Sequence, residues 1–184
     1  MSNYEDQPFP NLTTERFILR KIEPSDAGEL FQYFSNDEVT RYYDLESFTQ
    51  IEQALEIIER WNNRCIAGEG IRWGIALKEN NKIIGSCGYH NWAKEHCKAE
   101  IGFEVTPQYW RQGVMTEVLR SVILYGFQQM GLHRIEALYD PDNIASKRTL
   151  EKAGFHYEGR MRECFFEKGQ YVDAEICSLL VKDL

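Results

Sequence analysis

Residues 98–122 read KAEIGFEVTPQYWRQGVMTEVLRSV, and few folds accommodate that order of residues. Period-2 alternation puts Ile101, Phe103 and Val105 on one face of a strand and Glu100, Gly102 and Glu104 on the other. Thr106 and Pro107 turn the chain into a short loop carrying Trp110, Arg111, Gln112, Gly113, Val114 and Met115. A helix follows at once. Its apolar residues fall in i, i+4 rows, Val114, Val118 and Val122 beside Met115, Leu119, Ile123, Phe127 and Met130, a stripe broad enough to pack on a sheet. A strand that runs through a glycine loop into a helix aims several backbone N–H groups at one spot, where the helix dipole also favours negative charge. Such a spot suits a diphosphate. Gly113 could equally serve a tight turn through its backbone freedom alone.

Two better-known phosphate binders are excluded. The chain has no GxxxxGK[ST], and so lacks the lysine and the metal-binding hydroxyl of a P-loop. Nor does it contain a GxGxxG followed by a ribose-binding acid, as a Rossmann unit requires. Downstream lie the strand Arg134–Tyr139 (RIEALY), the segment DPDNIASKRTLEKAGF at 140–155, and EGRMRECFFEKGQYVDAEICSLL at 158–180.

The strand, loop and helix around Gly113 resemble motif A of the GNAT acyltransferase superfamily, which binds the diphosphate of acetyl-CoA. The string N-x-x-S-x-R-x-L-E-K-x-G-F at 143–155 is similar to motif B of that family's ribosomal-protein alanine N-acetyltransferase branch, and it stands at the expected distance downstream. The resemblance runs over nearly the whole chain, from the opening strand TTERFILRKI at 13–22. It departs from the motif A consensus at two places, with Trp110 where Gln or Arg is usual and Met115 where Gly or Ala is usual. The resemblance implies a single α/β (α+β) domain over residues 1–184. Its central sheet would be mixed and mostly antiparallel, with about seven strands, flanked by helices and splayed where the acyl-CoA enters. It also implies a site. The diphosphate would lie on the backbone of Arg111, Gln112, Gly113, Val114, Met115 and Thr116. A bulge would free main-chain groups near Phe103, Glu104 and Val105 for the pantetheine arm and thioester. Asn143 would bind the pantetheine amides, and Ser146 would hydrogen-bond or protonate the leaving thiolate. From the residues alone, Asn143 also reads as a helix N-cap and Ser146 as a first-turn serine. Lys147 and Arg148 are candidates for the coenzyme's 3′-phosphate or for solvated charges on the helix surface.

Acyl transfer to an amine requires the amine to be neutral, and an α-amino group, with a pKa near 8, meets that more readily than a lysine near 10.4. A weak base or an ordered water then suffices. Glu100 ranks first as that base, with Glu104 and Glu163 behind it. The aromatic set Tyr42, Tyr43, Tyr89, His90 and Trp92 is the expected acceptor pocket, against the commoner reading of aromatics as core.

The remaining chain reads as a helix at about 24–36, a loop at 38–47, a long helix at about 49–67, a hairpin from strands at 72–78 and 83–90, and a loop at 91–96. At 184 residues with 43% apolar content, the chain can bury a proper core. Its formal charge of −8 discourages nucleic-acid binding. That charge would draw cationic acceptors, or serve solubility. Five scattered cysteines without CxxC spacing read as reduced thiols, and no metal is expected. No run approaches a membrane span, and MSNYEDQPF has no signal pattern, so a cytoplasmic location without membrane partners is expected. A homodimer through exposed hairpin edges stays open. The expected reaction is direct transfer of acetyl from acetyl-CoA to a primary amine, first of all a protein N-terminal α-amine. A small amine (polyamine or aminoglycoside) as acceptor, or a non-catalytic acyl-CoA sensor, are the alternatives.

Overall fold

The computed structural model describes residues 8–184. Its helices are α1 (Ala27–Phe34), α2 (Asp37–Thr40), α3 (Ile51–Ile66), α4 (Val114–Gln128) and α5 (Ile144–Lys152). The strands are β1 (Leu12–Thr13), β2 (Phe17–Arg20), β3 (Ile71–Leu77), β4 (Ile83–Ala93), β5 (Lys98–Val105), β6 (Arg134–Tyr139), β7 (His156–Glu167) and β8 (Gln170–Leu180). They form one sheet in the order β1-β2-β3-β4-β5-β6-β8-β7. Every neighbouring pair is antiparallel except β5 and β6. The sheet has eight strands where about seven were expected. The expected opening strand at 13–22 is broken by a turn in which Thr14 Oγ1 accepts from the Phe17 N–H, and the two residues before that turn fold back as β1.

Each face of the sheet has its own cover. Against one lies α4, with Val114, Val118, Leu119, Val122, Ile123 and Phe127 packed on Trp73, Cys87, Tyr89, Ile101 and Ile135. Against the other lie α1, α2 and α3, where Leu30, Phe34, Ile57 and Ile58 meet Ile22, Ala76 and Ile83. Side chains on successive strand residues alternate between these two covers, so burial on both faces gives β3 and β4 their near-continuous apolar runs.

The parallel pair positions the site. β5 and β6 are in register over only Lys98↔Arg134, Ala99↔Ile135 and Glu100↔Glu136. Beyond Glu100, β5 stays with β4 as far as Val105, while β6 stays with β8 as far as Tyr139. The sheet therefore opens into a V whose apex is at Glu100. Charges pin that apex. The buried Glu136 takes Lys98 Nζ at 3.0 Å and Arg134 Nε at 2.7 Å, and Arg134 also forks onto Glu158. Glu158 accepts from Ser178 Oγ as well. Arg134 first and Ser178 second hold the Glu158 carboxyl down at about 2.

Candidate active site

At the open end of the V, β5 leads to the loop before α4. Arg111 (φ +59°) and Gly113 (φ +73°) both adopt the left-handed region, and Gly113 is the N-cap of α4. A Cβ on Gly113 would meet only Arg16 Nη2, at 3.8 Å, so the glycine is there for its φ and not for want of space. The first hydrogen bond of the helix runs from Glu117 N to Gly113 O, which leaves the N–H groups of Gly113, Val114, Met115 and Thr116 without acceptors inside the helix. Arg111, Gln112, Gly113 and Thr116 are exposed. Arg16, from the turn between β1 and β2, bolts this cradle down. Its backbone N–H and Nε donate to Glu117 at 2.8 and 2.7 Å, and Nη1 donates to Gln112 O at 3.0 Å. Exposed amides, a helix dipole and an adjacent guanidinium together fit an anionic diphosphate. Sequence reasoning missed Arg16, which lies about a hundred residues away along the chain and matches no motif.

The edge of β5 along the gap differs from expectation. Its register with β4 is unbroken from Glu100 to Val105, so β5 has no bulge there; the irregularity sits in β4 between His90 and Ala93. Divergence from β6, not a bulge, frees the main chain. Thr106 N–H donates to Ile84 O at 2.8 Å, and alternation then turns Glu104 and Gly102 toward β4 and Ile101, Phe103 and Val105 toward the gap. The expected role of the Glu104 main chain is thereby corrected, because β4 occupies it. Trp110 Nε1 takes the Val105 carbonyl at 2.6 Å. What remains for a ligand is the main chain of Phe103 and the N–H of Val105.

Facing this edge across the gap is the loop that leads from β6 into α5. Asn143 is the N-cap of α5, its Oδ1 accepting from Ser146 N at 3.0 Å, which leaves its amide nitrogen as the group able to meet a ligand. Ser146 is half-buried in the first turn, and its hydroxyl has no partner among the described residues. Lys147 bends back to Glu175 (3.4 Å) and over the Tyr157 ring, and Arg148 is exposed.

On the face away from α4, Glu104 is buried at 7% exposure and Arg72 pairs with it. Tyr43, Tyr33 and Ser86 hydroxyls donate to the same carboxylate. Arg72 also donates to Ser86 Oγ and Gly102 O and stacks on Trp61. Burial pushes the Tyr33 and Tyr43 hydroxyls well above their ordinary range, so both stay protonated donors. A carboxylate so saturated is a fixed structural anion, which corrects its candidacy as a base. Glu163 stands on the exposed β7 bulge with φ +48°, its N–H on Asp173, and belongs to no wall of the gap.

Glu100, at the apex, accepts from Asn91 Nδ2 at 3.0 Å and lies 3.3 Å from His90 Nε2. The His90 hydrogen bond above all, with help from Asn91, outweighs burial and holds its carboxyl below the usual range. The expected aromatic pocket divides. Tyr43 and His90 do lie on this face, and Tyr42 reaches Asp142 O at 3.3 Å across the mouth. Tyr89, however, is buried in the α4 layer, with its hydroxyl on Val122 O, and Trp92 packs against the same layer. The β7–β8 hairpin closes the far side, Lys168 Nζ donating to Thr40 O at 2.7 Å. A cavity of about 640 Å³ lined by Arg20, Asp26, Asn81 and Lys82 lies elsewhere and takes no residue from β5, β6 or α5. Among the described residues no group of three or more His, Cys, Asp or Glu could hold a metal ion, and no helix is long and apolar enough to cross a membrane.

Residues 16–156 match the family model described as acetyltransferase (GNAT) domain. Among curated relatives, the uncharacterized N-acetyltransferase YoaA of Bacillus subtilis (strain 168) is 44% identical over 172 residues, spanning 94% of this chain and 97% of its own. The ribosomal protein uS5-alanine N-acetyltransferase of Escherichia coli (strain K12) is 24% identical over 188 residues, 96% of this chain and 93% of that one. Among solved structures, spermidine N-acetyltransferase from Vibrio cholerae, in complex with CoA and spermine, superposes with a TM-score of 0.78 at 22% identity, over 91% of this chain and 97% of that one.

Proposed function

Because the chain belongs to the acetyltransferase (GNAT) family, an N-acetyltransferase that depends on acetyl-CoA, we propose that its acceptor is the α-amino group of a protein N-terminus and that transfer is direct. One observation carries the site: the V that opens beyond Glu100 has the free amides of α4 at its mouth and the first turn of α5 on its other wall.

In this reading the amides from Gly113 to Thr116, with Arg111 and Gln112 before them, hold the diphosphate of the co-substrate beside the Arg16 guanidinium. Phe103 and Val105 pair with the pantetheine arm through the unpartnered edge of β5, and one of their N–H groups polarises the thioester carbonyl. The Asn143 amide nitrogen binds the arm from the opposite wall. Attack by the neutral amine forms the C–N bond and breaks C–S, and Ser146 Oγ donates to the departing thiolate.

The α-amine reading is supported by the uS5-alanine N-acetyltransferase among the relatives and by the lower pKa of α-amines. A small polyamine is the second reading, favoured by acid at the mouth. Burial first, then the charges of Asp44 and Asp140, raise the Glu167 carboxyl, against the lowering effect of Lys168. Incubation with acetyl-CoA and a panel of alanine-starting peptides, spermidine and an aminoglycoside, followed by mass spectrometry, decides between them. A 42 Da gain (roughly the mass of one acetyl group) on the peptide α-amine is expected. Acetylation confined to spermidine would replace the acceptor, and CoA release with no acylated amine would overturn the reading.

A further inference from the structure

The site as described leaves the acceptor's proton without a strong base, because Glu104 is saturated and Glu100, with His90 on one oxygen and Asn91 on the other, is held below the usual carboxylate range. From the geometry at the apex of the V we propose that His90, oriented by Glu100, is the general base that takes the acceptor amine's proton. The inference rests on the N-acetyltransferase reading above.

His90 and Glu100 are directly paired across β4 and β5, so their side chains share the face away from α4. A carboxylate only accepts hydrogen bonds, and the His90 nitrogen facing it is Nε2, at 3.3 Å. A ring hydrogen on Nε2, toward the carboxylate, would leave the lone pair on Nδ1. Asn91 Nδ2 on the other oxygen keeps the carboxylate from turning. Nδ1 has no hydrogen-bond partner among the described residues, and it lies over Gly102. A Cβ there would come within 3.3 Å of His90 Cε1, 3.7 Å of Nδ1 and 3.2 Å of Arg72 Nη1, so a side chain at this position would press the imidazole and the guanidinium back by a few tenths of an ångström. The next residue is Phe103, whose main chain faces the gap. The His90 side chain is 38% exposed and Glu100 24%, which leaves the pair open to a solute. These observations give Glu100 a positioning role in place of direct proton abstraction.

The step balances. An acceptor R–NH₃⁺ gives one proton to Nδ1, and the neutral nitrogen attacks the thioester carbonyl. The C–N bond forms as C–S breaks, and the second N–H proton of the attacking nitrogen reaches the thiolate by way of Ser146 Oγ. The imidazolium then loses its own proton to water, so the reaction releases one proton per acetyl group moved. Neither residue contributes to the core, which makes substitutions here compatible with folding.

The test compares wild type, His90→Gln, His90→Ala and Glu100→Gln. The probe is whichever amine of the panel the wild type acetylates, and CoA affinity is measured separately by calorimetry. His90→Gln should lose on the order of 10²-fold or more in kcat while its CoA Kd stays within about twofold. Glu100→Gln, which misorients the ring, should lose about tenfold. Added imidazole should restore part of the His90→Ala rate and none of that of a Ser146→Ala control. A His90→Gln enzyme within about threefold of wild-type kcat, or one whose loss is entirely in CoA affinity, overturns the proposal. A wild type that binds CoA and acetylates no amine would sink the N-acetyltransferase reading itself, a result distinct from both.

Discussion

Ser146 separates a structural from a chemical role at the scale of one residue. Its N–H completes the α5 cap and its Oγ contributes no bond to the fold among the described residues, so removing the hydroxyl should leave the cap intact. Ser146→Ala is therefore expected to keep its melting temperature within a degree or two and its CoA affinity. It should lose roughly 10- to 100-fold in kcat, the size expected of one proton-donating group. An unchanged kcat would return Ser146 to its plain reading as a first-turn serine. Gly113 and Asn143 were legible because their signals are local: a glycine between strand and helix, and an Asn three residues before a Ser at a helix start. Arg16 and Arg72 were not, because each acts on residues far along the chain, Gln112 and Glu117 for the first and Glu104 for the second. Glu104 misled for a related reason. Alternation gives its face correctly but cannot reveal that three hydroxyls and a guanidinium converge there.

Among the elements, the V depends on a short parallel pairing held by charges at its closed end. Glu158 has its carboxyl lowered to about 2 in the folded chain against an ordinary value near 4.5. It therefore contributes stability at pH above that ordinary value, and the contribution disappears as pH falls toward 2. The side chain is 39% exposed, so solvent screening keeps the effect small, about 1 kcal/mol or less. Chemical denaturation of wild type and Glu158→Gln should show a gap at pH 7 that closes between about pH 4.5 and 2. A gap constant over that range would mean that the Arg134 fork does not act through the Glu158 charge. β5 and β6 appeared at their expected ends and α3 and α4 within two residues of theirs, whereas β4 runs three residues past 90 to Ala93 and the expected helix at 24–36 opens as a 3-10 turn, with α1 starting at Ala27. The short α2 falls in a stretch that reads as loop, because four residues offer too little pattern. β1 escaped because its two residues are a strand only by pairing with β2. The splay was expected by resemblance, and the mechanism of the free edge was not. Divergence of β6 is a property of two strands together, and no single strand encodes it.

For the whole molecule, net charge becomes a testable property of the mouth. With a formal charge of −8, and with Asp44 and Asp140 both acting on the Glu167 carboxyl, a cationic acceptor should be drawn in by long-range attraction. Raising ionic strength from about 0.02 to 0.3 M shortens the screening length from roughly 20 to 6 Å. The acceptor's KM should accordingly rise severalfold while kcat is nearly unchanged. A salt-independent KM would mean the acid serves solubility alone.

Everything at the three scales presumes that the turn before α4 holds the diphosphate of acetyl-CoA, and titration calorimetry addresses that directly. Wild type should give saturable one-to-one heat with a Kd between about 1 µM and 1 mM, the range usual for enzyme substrates. Gly113→Val, which forces a β-branched residue into φ +73°, should remain folded and bind at least about tenfold more weakly. No heat from the wild type, or equal affinity in a folded Gly113→Val protein, would contradict the account.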